Sequence, residues 1–234
     1  MMLPELREKV CTSNKMLPQS GLVILTWGNV SAIDRESGLV VIKPSGVNYE
    51  RLTPESMVVV DMAGRVVEGA YQPSSDTLTH IEMYKAFSGI GAIVHTHSPW
   101  ATIWAQMGCD IPALGTTHAD DFGAGIPCTR DMTEEEIAES YEKNTGKVIC
   151  ETLAKRDISR YFAVNVKSHG PFVWERDPLK AVEKALVLEQ ISMMAWHCRQ
   201  MQPEGGVMSS ALMKKHFERK HGANAYYGQG KICG

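Results

Sequence analysis

"AIVHTHS", Ala92 to Ser98, is a short β-branched run that carries two histidines two residues apart. Runs of this length and composition form strands. Alternate residues of a strand point to the same face, so His95 and His97 would stand side by side. Paired imidazoles suit a metal ion. Strand histidines also occur as hydrogen-bonded core or surface residues, and the spacing alone leaves both readings open.

Working outward, "PELREKVCTSNKML" places Leu6, Val10 and Leu17 near helical spacing and reads as an opening helix. "LVILTW", "LVVIKP", "MVVVDM" and "RVVE" read as strands bounded by turn residues. "SSDTLTHIEMYKAF" reads as a helix with Ser75 as N-cap, Asp76 in its first turn, and Ile81, Tyr84 and Ala86 or Phe87 facing the core. "PWATIWAQM" reads as a helix opened by Pro99. "EEEIAESYEKNTGKVICETLAKR" reads as helical apart from Asn144 to Gly146, and "FAVNV" as a strand. The longest helical pattern is "DPLKAVEKALVLEQISMMAWHCRQM", and "SSALMKKHFERKH" gives a final helix. A helix, a group of strands and then alternating elements predict an α/β chain of the α+β type, with a mostly antiparallel sheet between helical layers.

The chain has 234 residues, which suits one domain over 1–234 with a tail from about residue 214 to 234. Its net charge of −3 and scattered basic residues argue against nucleic-acid binding. Six cysteines include no CxxC, which excludes a close cysteine metal motif and fits reduced thiols. The charged start and the absence of an apolar run near ~20 residues predict a cytoplasmic protein with no membrane partner.

Other segments bear on the histidine pair. "VNVKSHGPF" puts His169 at the end of a strand in a Gly-Pro turn, and "GTTHADD" groups His118, Asp120 and Asp121. With Asp76 these supply further imidazoles and carboxylates. Three protein ligands and an open position make a catalytic zinc arrangement. Separately, "TWGNVS" and "KPSGV" follow apolar runs, and Asn29, Lys43, Ser45, Ser74 and Ser75 offer donors to an anion. Gly28 and Gly46 permit close backbone approach. No GxxxxGK[ST] motif is present, so ATP chemistry is not implied. Turns and an N-cap would explain the same residues without a ligand. The tail "KHFERKHGANAYYGQG" holds His216, Arg219, His221, Tyr226 and Tyr227 among glycines, which suggests docking on this chain or on a neighbour.

Together, "TWGNVSAIDRESGLVVIKPSGV", "PSSDTLTH", "IVHTHS", "ATIWAQ", "GTTHAD", "IPCTR", "SHGPF" and "KHGANAYYGQ" resemble the L-ribulose-5-phosphate 4-epimerases of the class II aldolase/epimerase superfamily. The likeness runs from about Leu6 to Gln229. It implies a central antiparallel sheet layered between helices, and a cyclic homotetramer with active sites between subunits. It implies one Zn²⁺ per subunit, or Mn²⁺ or Co²⁺ in its place, on Asp76, His95, His97 and His169. It implies a phosphate grip from Asn29, Ser45, Gly46, Ser74 and Ser75, helped by Lys43. Asp120 and Tyr227 would be the acid/base pair, assisted by His216 and Arg219 from the adjacent subunit's tail along with Tyr227. The implied activity interconverts L-ribulose 5-phosphate and D-xylulose 5-phosphate. A class II aldolase that releases its fragments and a non-catalytic adducin-like module are the competing expectations. The chain departs from the pattern at "DFGAG" after "THAD", at the Asp120–Asp121 doublet, at "VWERD", and in the extra "GKICG" at the end.

Overall fold

The computed structural model describes residues 1–227, and the "GQGKICG" end of the expected tail lies outside them. The helices are α1 (Pro4–Gln19), α2 (Thr77–Ala86), α3 (Pro99–Met107), α4 (Thr116–Ala119), α5 (Glu134–Leu153), α6 (Pro178–Met201) and α7 (Ser210–His221). The strands are β1 (Asn29–Asp34), β2 (Leu39–Ile42), β3 (Val58–Val60), β4 (Val66–Glu68), β5 (Ala92–His95), β6 (Ala163–Val166) and β7 (Gly170–Glu175). All seven strands join one sheet in the order β4-β3-β2-β1-β5-β7-β6, and every neighbouring pair is antiparallel.

Strand alternation sorts the side chains onto two cores. Val30, Ala32, Ala92, Val94 and Val173 face a layer containing Val10, Leu17, Ala101, Ala181 and Leu188 of α1, α3 and α6. Ile93, Phe172 and Trp174 face Ile81, Met83, Tyr84, Ile149 and Leu153 of α2 and α5. These buried apolar residues are the main source of stability, at roughly 1.5–3 kcal/mol for each fully buried large side chain. The expected layered architecture is present.

Several expectations are corrected. "LVILTW" is not a strand. Trp27 N–H donates to Ile24 O at 3.1 Å and Leu25 has φ +55°, so the segment turns and leaves Ile24 and Leu25 exposed. The strand begins at Asn29. The helix predicted to break at Asn144–Gly146 runs through it, and the break lies at Ser140 (φ −158°, ψ 79°). Gly146 is a packing glycine: a Cβ there would stand 2.7 Å from Glu82 Cβ and 2.9 Å from Thr79 O. β7 is hidden in the sequence, because Pro171 disguises it. Proline has no N–H to donate, and here it pairs with Asn165 near the strand's start.

Candidate metal centre

The site forms where β1 and β7 begin and β5 ends. Register places Asn29 opposite His95, and His95 opposite Phe172, across three adjacent strands. All three side chains fall on the α2/α5 face. Gly28 permits this closeness, because a Cβ at its φ of +79° would meet His95 O at 2.8 Å. His95 is the last residue of β5, so His97 lies beyond the strand, exposed, yet it still reaches its partner. His169 sits in the β6–β7 turn. Ser168 takes φ +62°, and His169 N–H donates to Val166 O at 3.0 Å, which swings the ring back over the strands.

The structure brings His95, His97 and His169 together. One nitrogen from each lies within 4.8 Å of the others. The His95 and His97 Nε2 atoms stand 3.1 Å apart. Tetrahedral zinc with Zn–N bonds of about 2.0–2.1 Å needs about 3.3 Å between ligand nitrogens, so the pair has the right spacing for a shared ion. His95 Nδ1–H donates to Pro171 O at 3.0 Å, which leaves Nε2 as the ligand atom. Phe172 stacks on the His95 ring at 4.2 Å. Burial first, and the neighbouring His95 and His97 second, push His169 down to about 3, which keeps it in the neutral form a metal requires.

Asp76 lies beside this trio rather than within it. It occupies the N-cap position of α2, where the sequence reading placed Ser75, but its side chain makes no cap hydrogen bond. Instead Asp76 Oδ2 accepts from Asn29 Nδ2 at 2.7 Å. Burial alone would raise its carboxyl. His95, His80, His169 and the Asn29 amide outweigh that and hold it below its usual range. It is therefore an ionised carboxylate next to three imidazoles, a donor set that suits Zn²⁺ and neighbouring divalent ions.

The expected anion loops also meet. Pro44 pairs with Pro73, Ser45 N–H donates to Gln72 O, and Ser74 N–H donates to Lys43 O. This laces "KPSG" to "PSSD". Gly46 takes φ +67°, and Ser74 is buried while Ser75 is exposed. Lys43 is only 2% exposed, its Nζ near Thr26 O and Pro44 O and 4.8 Å from the Tyr49 ring centre. Burial pushes its ammonium down to about 8. A buried cation whose polar partners among the described residues are carbonyls and a ring is suited to receive an anion. Asn29 gives one amide N–H to Asp76, beside these loops.

Asp120 ends up elsewhere. It is clamped by α7 of its own chain: Arg219 Nε and Nη2 donate to its two oxygens at 3.0 and 2.7 Å, and His216 Nδ1 lies 3.0 Å from Oδ1. Burial raises the carboxyl, but Arg219 and His216 outweigh that and leave it below its ordinary value. Tyr227 completes the group, its ring 4.9 Å from the Arg219 guanidinium. Asp121 is occupied by Lys184 and Lys220, and His118 Nε2–H donates to Ala124 O, so both have structural tasks. Among the described residues, no hydrogen bond, ion pair or ring contact joins this group to the histidine trio.

Residues 8–196 match the family model described as "Class II Aldolase and Adducin N-terminal domain". The chain belongs to that family. It is similar to an L-fuculose 1-phosphate aldolase, with 25% identity, a TM-score of 0.78, and coverage of 92% of this chain and 95% of that one. It also resembles YgbL from Klebsiella pneumoniae, titled a putative aldolase/epimerase/decarboxylase (21% identity, TM-score 0.75, covering 92% and 99%). An L-fuculose-1-phosphate aldolase from Thermus thermophilus matches at 23% identity with a TM-score of 0.66, covering 87% and 98%. The last two likenesses speak to fold alone. Among the described residues no helix is long and apolar enough to cross a membrane.

Sequence reasoning missed two groups in this class II aldolase domain. Tyr141 places its hydroxyl 3.4 Å from His169 Nδ1. Beneath Asp76, Ser31 Oγ contacts His80 Nδ1 at 2.7 Å and Tyr84 Oη at 2.8 Å, all buried. His80 was visible in "SSDTLTH", four residues after Asp76, one helical turn on. Nothing in the sequence marked Tyr141.

Proposed function

We propose that the chain is a metal-dependent epimerase interconverting L-ribulose 5-phosphate and D-xylulose 5-phosphate. The observation that carries this is the three-histidine cluster with Asp76, which ends the "PSSD" loop laced to "KPSG" around the buried cation of Lys43. A divalent ion and a phosphate are the two things such a site is equipped to hold.

C4 of the ketopentose bears no acidic C–H, because it is not next to the carbonyl. Inversion therefore requires cleavage of the C3–C4 bond, rotation of the aldehyde fragment and re-addition. A divalent ion on His95, His97, His169 and Asp76 would supply Lewis-acid stabilisation of the negative charge that develops at C2 and C3. Lys43, Ser45, Gly46, Ser74 and Ser75 hold the phosphate and keep the fragment from leaving while it turns. One group takes the C4 hydroxyl proton and a second returns a proton on the opposite face. Asp120 and Tyr227 fill these roles, with His216 and Arg219 orienting Asp120. The acid/base group is anchored to α7 of its own chain, without a contact to that chain's histidine trio among the described residues, and a homotetramer with sites between copies would bring it to the metal group of a second copy.

The likeness to an L-fuculose 1-phosphate aldolase supports a second reading, in which the same cleavage ends with release of the fragments. Incubation of the Zn²⁺-loaded protein with L-ribulose 5-phosphate separates the two. D-Xylulose 5-phosphate is the expected product. Accumulation of dihydroxyacetone and glycolaldehyde phosphate instead would make it an aldolase. Full turnover by Asp120→Asn or Tyr227→Phe would remove the acid/base assignment.

A further inference from the structure

We infer that Tyr141 is a positioning residue for the metal: its hydroxyl oxygen accepts the Nδ1–H of His169 and so aims His169 Nε2 at the ion. This rests on the metal-centre reading above.

Ring orientation is the unresolved freedom of a turn histidine. Backbone geometry sets where Cβ of His169 lies, but the torsion to the ring is broad and roughly two-fold. A metal-ligating imidazole is held in one orientation, and in one tautomer, by a partner for its other nitrogen. His95 has such a partner in Pro171 O. For His169 the one hydrogen-bond partner of Nδ1 among the described residues is the Tyr141 hydroxyl, at the long end of bonding range. The Tyr141 ring lies 6.3 Å from that of His169 at a 30° tilt.

The placement of Tyr141 is over-determined. α5 breaks at Ser140 and restarts at Tyr141. Asn144 Nδ2 spans the break to Glu136 O at 2.8 Å, and Thr145 Oγ1 donates to Tyr141 O at 2.8 Å. Below, Gly146 seats this half of the helix directly on α2, the helix that begins next to Asp76. Two groups that flank the histidine trio, Asp76 and Tyr141, therefore ride on one packed helix pair.

Tyr141→Phe keeps the ring and removes only the oxygen. Co²⁺ and Zn²⁺ titrations of the metal-stripped full chain, by visible absorption and by competition with a chromophoric chelator, should show affinity about 10–100-fold weaker than wild type and an altered Co²⁺ spectrum. In a His169→Ala background the same change should cost nothing further. Wild-type metal affinity and spectrum in Tyr141→Phe, or losses that add in the double variant, would overturn the inference while leaving the metal centre intact. A wild-type chain that binds neither ion would overturn the metal centre itself. Unfolding midpoints of the metal-free variants, matched to wild type, exclude a general loss of structure.

Discussion

Lys43 and His80 show burial acting on single side chains in opposite services. Lys43 is a buried cation with no carboxylate in ion-pair reach among the described residues, and burial brings its ammonium to about 8. It carries charge below that pH and loses it above. The pH profile of kcat/KM reports the free enzyme, so kcat/KM for a phosphorylated ketopentose should fall above pH about 8. Lys43→Arg should move that fall to higher pH, and an unchanged profile in this variant would remove Lys43 from the phosphate grip. His80 is fully enclosed between Ser31, Tyr84 and Phe172, and its Nε2 has no hydrogen-bond partner. Burial pushes it down to about 3 from 6.5. Below pH 6.5 the unfolded chain takes up a proton that the folded chain refuses, so stability is lost as pH falls. By linkage the loss is about 1.4 kcal/mol at pH 5.5. Urea midpoints of the metal-free protein at pH 7.5 and 5.5 measure it, and His80→Gln should shrink the difference between them.

At the scale of elements, the α2–α5 pair decides how well the centre is built. Gly146→Ala has two opposed effects. Alanine favours the helix by about 1 kcal/mol over glycine. Its Cβ would press on Thr79 O at 2.9 Å and on Glu82 Cβ at 2.7 Å, and the first is backbone that cannot swing away. Overpacking of this kind costs about 1–3 kcal/mol, so the clash wins. The variant should melt lower and bind metal more weakly, because α5 moves off the helix that follows Asp76. A higher melting temperature would mean that α5 is less tightly seated than these distances require. The sequence displayed the parts of this pair but not their joint. "EEEIAESYEKNTGKVICETL" offers Asn144, Thr145 and Gly146 as a turn signal, and single-residue propensity reads them as a break. Tertiary contact overrides that: Gly146 is small so that α2 fits, and Asn144 spends its side chain on Glu136 O. By contrast, His95 and His97 were legible as a pair because strand spacing is local, while His169 and Asp76 stood out only singly, by a turn and by a helix start. The Asp120 clamp was not legible, since 99 residues separate it from Arg219 and no local pattern encodes that pairing.

For the whole molecule, the division between its two polar groups is the main fact to explain. The histidine trio lies at the end of β5 and the start of β7, with His97 and the half-exposed Trp27 at its mouth, their rings 6.1 Å apart. Asp120, His216, Arg219 and Tyr227 form a separate, internally bonded unit on α4 and α7. A chain that carried both for its own use would gain from direct contact between them, and among the described residues neither group reaches the other. If each site is instead composed of the metal half of one copy and the acid/base half of another, two dead variants should rescue each other. His97→Ala lacks a metal ligand but keeps the Asp120 group. Asp120→Asn lacks the proposed acid/base carboxylate but keeps the histidines. Each assembly alone should be inactive. After co-refolding in equal amounts, half of the metal halves and half of the acid/base halves at each interface are intact, so about one quarter of wild-type specific activity should return, as the symmetry of a closed ring of copies requires. Measurement of epimerase turnover in the mixture, with mass photometry to confirm mixed assemblies, tests this directly. Mixed assemblies that stay inactive would place both halves of the site within one chain, and α7 would then have to leave Asp120 for the reaction to proceed.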